Sequence, residues 1–294
     1  ITHMMQVANP INHLISTIKY ARRDESERLP IDINPNMFAP DGPQNIGGTT
    51  VVREPFGVVS AITGYNFPFL LNLAKIGPAL MAGCTMILKP SQFTPYSALL
   101  FGEICEEIGL PKGVLNIVTG GIAEGQLLCT DERVDMVTFT GSEGVGASIM
   151  AQAAPTLKKV HLELGGKSAM IVRHDADVQR AAAMAVGILS VNAGQGCAIT
   201  TRLLVHNSIR PAFVQMAAAM AAHIKVGNAA DPSVTMGPLI RESQRAKVEH
   251  YVALGKAAGA TLVCGGGRPA GLDRGFFADL TLFDNVTNDM AIAQ

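Results

Sequence analysis

Apolar and polar positions along the chain switch repeatedly between the strand period and the helix period. Val58-Val59-Ser60-Ala61-Ile62 is a β-rich run, and Phe69 to Met81 has helical spacing ending at Gly83. Thr85-Met86-Ile87-Leu88 reads as a buried strand stopped by Pro90, and Pro95 to Ile108 as a helix with proline in its first turn and Gly109 after its end. Val114 to Val118 is the next strand, broken by Gly120-Gly121, and Met136 to Phe139 another, followed by Gly141 and a helix through Met150. Strands alternating with helices at this spacing predict βαβ units and a mainly parallel sheet. Ahead of them, residues 1–28 read as a surface helix with the charged end Arg22 to Arg28. Residues 29–50 read as irregular chain, and Thr49 to Arg53 as a short strand.

A second unit is expected from Gly165-Gly166. It holds a strand at Ala169 to Val172, an Ala-rich helix at Val178 to Leu189, a loop at Asn192 to Cys197 and a strand at Thr201 to Val205. Helices at Arg210 to Ile224 and Glu242 to Ala258, and strands at Thr261 to Val263 and Ala278 to Phe283, complete it. The expected fold class is α/β, with domains at 1–164 and 165–294.

Composition narrows the function classes. With 294 residues, 48% apolar and 16% charged against a usual charged share of about 25%, the chain is expected to build a large core rather than remain disordered. The 23 basic and 24 acidic side chains nearly cancel, so neither nucleic acid nor an anionic membrane is an expected partner. The stretch from Pro68 to Leu88 is interrupted by Asn72, Lys75, Pro78 and Gly83, so no membrane span is expected. The 5 cysteines are odd in number and never paired as CxxC. That argues against a disulfide framework or a bound metal, and for a reducing, cytoplasmic setting. Cys84, Cys105 and Cys129 lie in regular apolar segments and read as structural.

Several segments could carry chemistry. Phe139 to Gly146 runs from a strand end through Gly141 and Ser142 into a helix start, where backbone N–H groups and the helix dipole suit a phosphate. An ordinary βα turn has the same pattern. Lys89-Pro90-Ser91-Gln92 follows a buried strand, where side chains could bond ribose hydroxyls or simply be solvated. Lys159 to Leu164 alternates, with Val160, Leu162 and Leu164 on one face and Lys159, His161 and Glu163 on the other. Glu163, at an apolar boundary before Gly165-Gly166, suits a general base or belongs to a polar strand face; His161 is taken as the latter. Asn66, in Thr63 to Pro68, could donate to an oxyanion or cap the next helix. In Asn192-Ala193-Gly194-Gln195-Gly196-Cys197, the glycines leave Cys197 without a bulky neighbour, which makes it the candidate reactive thiol.

Tyr65-Asn66-Phe67-Pro68, Leu88-Lys89-Pro90-Ser91, Phe139-Thr140-Gly141-Ser142, Leu162 to Ser168 and Gly194-Gln195-Gly196-Cys197, taken in this order, resemble the NAD(P)-dependent aldehyde dehydrogenase superfamily. The resemblance runs from about residue 29 to Gln294. It implies a Rossmann-like cofactor-binding domain, with part of an oligomerisation arm near 44–54, and an α/β catalytic domain. Cys197 would be the nucleophile, Glu163 the general base, Asn66 the oxyanion donor and Lys75 a supporting lysine. Lys89, Ser91, Gln92, Gly121, Gly125, Gly141, Ser142, Gly146, Leu164 and Gly165 would bind the cofactor. The implied partners are a small-molecule aldehyde and, for the whole parent protein, further copies of itself, as a homodimer or homotetramer.

Two departures stand out. Gln92 replaces a glutamate common in the family, which removes a repulsion of a 2′-phosphate; either NAD or NADP is expected, NAD slightly favoured. The family's chain also continues past the position of Gln294, so a C-terminally truncated piece is expected, inactive when isolated. An acylating relative that passes its thioester to coenzyme A commonly lacks the glutamate present here as Glu163. A non-catalytic protein on the same fold would have no need of Cys197, Glu163 and Asn66 together.

Overall fold

The computed structural model describes residues 4–23, 26–34, 36–39 and 41–294. Asp24 and Glu25 of the charged run, and the first residue of the expected first domain, lie outside the described residues. The chain folds as two compact units, Ile1–Glu163 and Leu164–Gln294.

In the first unit, a π-helical turn at Met4–Ala8 leads into α1 (Asn9–Ala21). Beyond it, β4 (Thr50–Val51) falls within the strand expected at Thr49 to Arg53, and it pairs antiparallel with β1 (Glu27–Arg28), which lies in the expected charged end of the helix; β2 (Asp32–Asn34) and β3 (Asn45–Gly47), in the stretch expected to be irregular, form a second antiparallel pair. These strands are exposed throughout, so no burial period marks them in the sequence. Then come β5 (Val58–Ile62), α2 (Pro68–Met81), β6 (Thr85–Lys89), α3 (Tyr96–Glu107), β7 (Leu115–Ile117), α4 (Ile122–Thr130), β8 (Met136–Gly141), α5 (Glu143–Ala153) and β9 (Lys159–Leu164). Helix α4 has no counterpart among the expected elements: its Gly125 and scattered leucines leave no clear apolar stripe, and tertiary packing stabilises it instead.

The sheet order is β7-β6-β5-β8-β9. Strand β5 lies at the reversal, paired in parallel with β6 on one side and β8 on the other, and Ile62 is level with both Lys89 and Phe139. The interior strands β5 and β8 are buried almost without interruption, as expected for a parallel sheet covered on both faces. Val59, Ala61, Met86 and Leu88 of the sheet pack with Leu73, Ile76 and Ala79 of α2 and with Ala98 and Phe101 of α3. Cys84 belongs to the turn before β6 rather than to a strand, although it is buried as expected.

The second unit contains β10 (Ala169–Val172), α6 (Val178–Ser190), β11 (Arg202–Val205), α7 (Arg210–Ala221), α8 (Glu242–Ala257), β12 (Thr261–Cys264) and β13 (Leu282–Asp284). Strands β10 and β11 pair in parallel, and β12 and β13 antiparallel. The alanines of α6 let it approach α7 closely, and Val172, Ala182, Ala185, Val186, Phe213 and Ala217 form a buried core. The last strand starts later than expected, because Phe277 to Thr281 lack strand geometry.

One turn can be tested directly. Gly57 has φ 111°, and a Cβ there would run into the Asp135 carboxylate, which accepts a hydrogen bond from the Val58 N–H at 2.7 Å. Gly57→Ala is expected to lower stability by about 2–3 kcal/mol, read as a shifted urea midpoint, because both the backbone conformation and the start of β5 are disturbed.

Candidate active site

The carboxyl ends of β5, β6 and β8 lie on one edge of the first unit's sheet, where open α/β sheets bind ligands. Lys89 is buried there, and its Nζ donates to the Pro90 carbonyl at 3.3 Å. Burial lowers the Lys89 pKa, with the Glu124 charge opposing. Glu124, on α4, accepts from the Gly121 N–H at 2.6 Å, and hydrogen bonds from its own backbone and from Gly121 hold its carboxyl below the ordinary range. A Cβ on Gly121 would stand 3.3 Å from Gln92 Oε1, and one on Gly125 would stand 3.8 Å from Lys89 Cε. Lys89, Gln92, Gly121 and Gly125 are thus brought together, and Glu124 joins them. Ser91 bonds within its own turn, its hydroxyl accepting from the Phe93 N–H at 3.3 Å.

Beyond β8, Gly141 leads to Ser142 at the N-cap of α5, and the Ser142 side chain makes no capping bond. The first turn, Glu143 to Val145, is exposed, a Cβ on Gly144 would meet nothing within 4 Å, and Gly146 is buried beneath it. The open turn of N–H groups fits a pyrophosphate, and with the Lys89 and Gln92 cluster the edge fits a dinucleotide.

Asn66 lies in the loop between β5 and α2, and a Cβ on Gly64 would be 3.2 Å from Asn66 Oδ1 and 3.4 Å from the Thr140 carbonyl. The N-cap of α2 is Phe67, so Asn66 does not occupy the capping position. On α2, buried Lys75 donates to Thr138 Oγ1 at 2.8 Å, and Thr138 Oγ1 lies 3.1 Å from His161 Nδ1. Burial pushes the Lys75 ammonium down to about 8, opposed by the negative charge of Glu163. Glu163 stands on the exposed face of β9 with Lys159 and His161, not against the apolar boundary expected for it.

In the second unit, Leu164 is half-buried, and Gly165 is exposed with nothing within 4 Å of a Cβ. Cys197 is half-buried and follows the turn Val191–Gly194. Asn192, Ala193 and Gly194 are all left-handed, at φ 52°, 53° and 75°. For the two non-glycines this costs on the order of 1–2 kcal/mol each. Gln195 braces the turn: its Nε2 donates to the Asn192 carbonyl at 3.0 Å and its Oε1 accepts from the Ile240 N–H at 3.1 Å. A Cβ on Gly166 would stand 4.0 Å from the Cys197 carbonyl. A braced left-handed turn just before a cysteine is an arrangement suited to a nucleophile.

The sequence matches the pattern described as "Aldehyde dehydrogenase family" over residues 3–294. The chain belongs to the aldehyde dehydrogenase family. It is 41% identical over 270 residues to the peroxisomal aminoaldehyde dehydrogenase 1 of Pisum sativum, covering 92% of this chain and 52% of that protein. It is 43% identical over 244 residues to the chloroplastic betaine aldehyde dehydrogenase of Beta vulgaris, covering 82% of this chain and 49% of that one. The crystal structure of a Mycobacterium tuberculosis aldehyde dehydrogenase complexed with NAD+ superposes with a TM-score of 0.87 at 42% identity, covering 99% of this chain and 57% of that one. The chain spans about half the length of the curated relatives it matches.

In this aldehyde dehydrogenase family member, Thr138 and Glu124 are residues of the candidate site that the sequence pattern does not single out. Glu124 follows Gly121 by three positions, a helix-start spacing that could have revealed it. Thr138 sits inside a buried strand and carries no sequence signal at all. The site also sets a pH dependence. A Lys75 pKa moved from 10.5 to about 8 corresponds to roughly 3 kcal/mol against the charged form. The unfolded chain therefore binds more protons between those values, and stability rises with pH across that window. Lys75→Met is expected to melt above the parent at pH 7, with the gap closing as pH rises from about 8 towards 10.5.

Proposed function

We propose that the protein oxidises an aldehyde to a carboxylic acid with NAD(P)+ through a covalent intermediate on Cys197. The observation that carries this reading is the left-handed turn Asn192 to Gly194, braced by Gln195, that delivers Cys197. The Cys197 thiolate attacks the carbonyl carbon, a C–S bond forms, and the oxygen becomes an oxyanion. The family resemblance assigns Asn66 and the Cys197 backbone N–H as the donors to that oxyanion. Bound NAD(P)+ supplies the acceptor for the hydride that leaves this carbon. Cys197 then carries a thioester; Glu163 takes a proton from water, the water oxygen attacks, and the C–S bond breaks with Cys197 leaving as thiolate. Glu163 favours this hydrolysis over transfer of the acyl group to coenzyme A.

Lys89, Ser91 and Gln92 would hold the adenosine ribose beside Gly121 and Gly125, with the pyrophosphate on the turn from Gly141 to Gly146 and Leu164-Gly165 beside the nicotinamide. The relatives named for aminoaldehydes and betaine aldehyde put these compounds first in a substrate panel. In the full-length parent protein, Cys197→Ala is expected to remove NAD(P)H formation with every aldehyde of that panel while leaving cofactor affinity within about twofold; turnover within tenfold of the parent would refute the assignment.

Gln92 bears on cofactor choice. Gln92→Glu would place a carboxylate near the ribose 2′ position, repelling a phosphate there and accepting from a hydroxyl. Each effect is worth on the order of 1–3 kcal/mol in a partly buried site, so the NAD to NADP ratio of kcat/KM is expected to rise tenfold or more. An unchanged ratio would place Gln92 away from the ribose.

A further inference from the structure

Lys75, Thr138 and His161 belong to three different elements, α2, β8 and β9, and meet in one line of hydrogen bonds. Lys75 and Thr138 are buried, at 8% and 6% exposure, whereas His161 stands on the exposed face of β9. Among the described residues, Thr138 Oγ1 is the hydrogen-bond acceptor for the Lys75 ammonium.

Donor and acceptor capacity sets the direction of this line. An ammonium has no lone pair, so charged Lys75 must donate to Thr138 Oγ1. The hydroxyl has one proton of its own, which then points to His161 Nδ1, and that nitrogen must be bare. Charged Lys75 therefore requires a neutral imidazole with its proton on Nε2. If His161 Nδ1 instead carries a proton and donates to Thr138, the hydroxyl proton turns towards Lys75, which must then be a neutral amine offering its lone pair. Both ends charged at once would leave the buried hydroxyl proton without an acceptor, at a cost of a broken buried hydrogen bond.

We propose that Thr138 and His161 are positioning residues for Lys75, forming a relay in which one proton is held either as the Lys75 ammonium or as the His161 imidazolium. Passage between the two forms is balanced: Lys75 gives one proton to Thr138 Oγ1, and Thr138 gives its own hydroxyl proton to His161 Nδ1. The relay connects a buried amine to the exposed strand face that also bears Glu163, and so controls the positive charge opposite the proposed base. Its functional consequence rests on the dehydrogenase reading above.

The charged surroundings leave this control with the relay. Strand β8 contributes no titratable side chain, and β9 contributes Lys159 and Glu163 on the face of His161. Around α2, the titratable groups are His13, Lys19 and Tyr20 on α1, Lys89 on β6, and Tyr96, Glu103, Cys105, Glu106 and Glu107 on α3. Of all these, Glu163 is the group whose charge registers on Lys75. The titration of Lys75 near 8 falls where the exchange would be felt in solution.

The test is side-chain NMR of selectively labelled protein from pH 6 to 10, with the pH profile of aldehyde turnover beside it. In the parent, His161 is expected as the Nε2–H tautomer wherever Lys75 is charged. Thr138→Val keeps the shape but deletes the hydroxyl; it is expected to abolish the tautomer bias and lower the Lys75 midpoint by about half to one pH unit. His161→Leu should lower the midpoint in the same direction, while Thr138→Ser and His161→Asn, which keep a hydroxyl and an acceptor in place, should restore it. The high-pH limb of kcat should move with the Lys75 midpoint in each variant, with KM unchanged. An unaltered His161 tautomer and Lys75 midpoint in a folded Thr138→Val protein would overturn the relay. A kcat limb that ignores the midpoint would overturn its control of the reaction. A full-length parent protein that oxidises no aldehyde would overturn the dehydrogenase reading instead, and the NMR result would still decide the relay.

Discussion

The parallel pairing of β5 with β6 and β8 is the constraint on which the first unit depends. Because Ile62 is level with Lys89 and with Phe139, and β8 runs on only to Gly141, three loops leave the same edge of the sheet. One carries Asn66, one carries Ser91 and Gln92, and one carries Gly141 and Ser142. The chain runs outward through β6 and β7, then returns to the other side of β5 for β8 and β9. That reversal separates neighbouring loops and opens a crevice where a helix N-terminus faces outward. Burial of Val59, Ala61, Met86, Leu88 and Val137 anchors the three strands in the core.

The same packing places a lysine where water does not reach it. Lys75 is carried on the face of α2 that also buries Leu71, Asn72 and Ile76, and its amine emerges against β8 rather than into solvent. Desolvation and the Thr138 hydroxyl acceptor make its charge sensitive to what happens on the next strand. The fold thereby converts a helix residue and a strand-face histidine, far apart in sequence, into members of one hydrogen-bonded line.

The second unit applies strain where the first applies burial. Two non-glycine residues in left-handed conformation precede Cys197, and the Gln195 side chain secures the turn from both of its ends. Ile199, buried just after the cysteine, anchors the other side of the loop. The thiol is thus presented by a locally costly backbone that its surroundings over-determine, as reactive side chains commonly are.

Much of this is legible in the sequence. Alternating apolar runs and glycine stops locate β5, β6, β8 and β9 and the helices α2, α3 and α5, because strands buried on both faces and helices with an apolar face write their periods directly into the chain. The ordered motifs around Asn66, Lys89, Gly141, Glu163 and Cys197 point to the family that the comparison then establishes. The exposed strands β1, β2 and β3 and the helix α4 leave no such trace, because backbone pairing and packing, not a hydrophobic period, hold them. The Glu163 environment departs from its expectation for a related reason: alternation assigns a side chain to a face, but only the neighbouring elements decide whether that face meets apolar surface or water. Thr138 is invisible for the same cause. A threonine within Val137-Thr138-Phe139 reads as strand propensity alone, and it acquires its part only when α2 brings an ammonium to one side of it and β9 brings an imidazole to the other. Local sequence determines which elements form; contacts across 63 and 23 residues of chain determine which polar groups must satisfy one another.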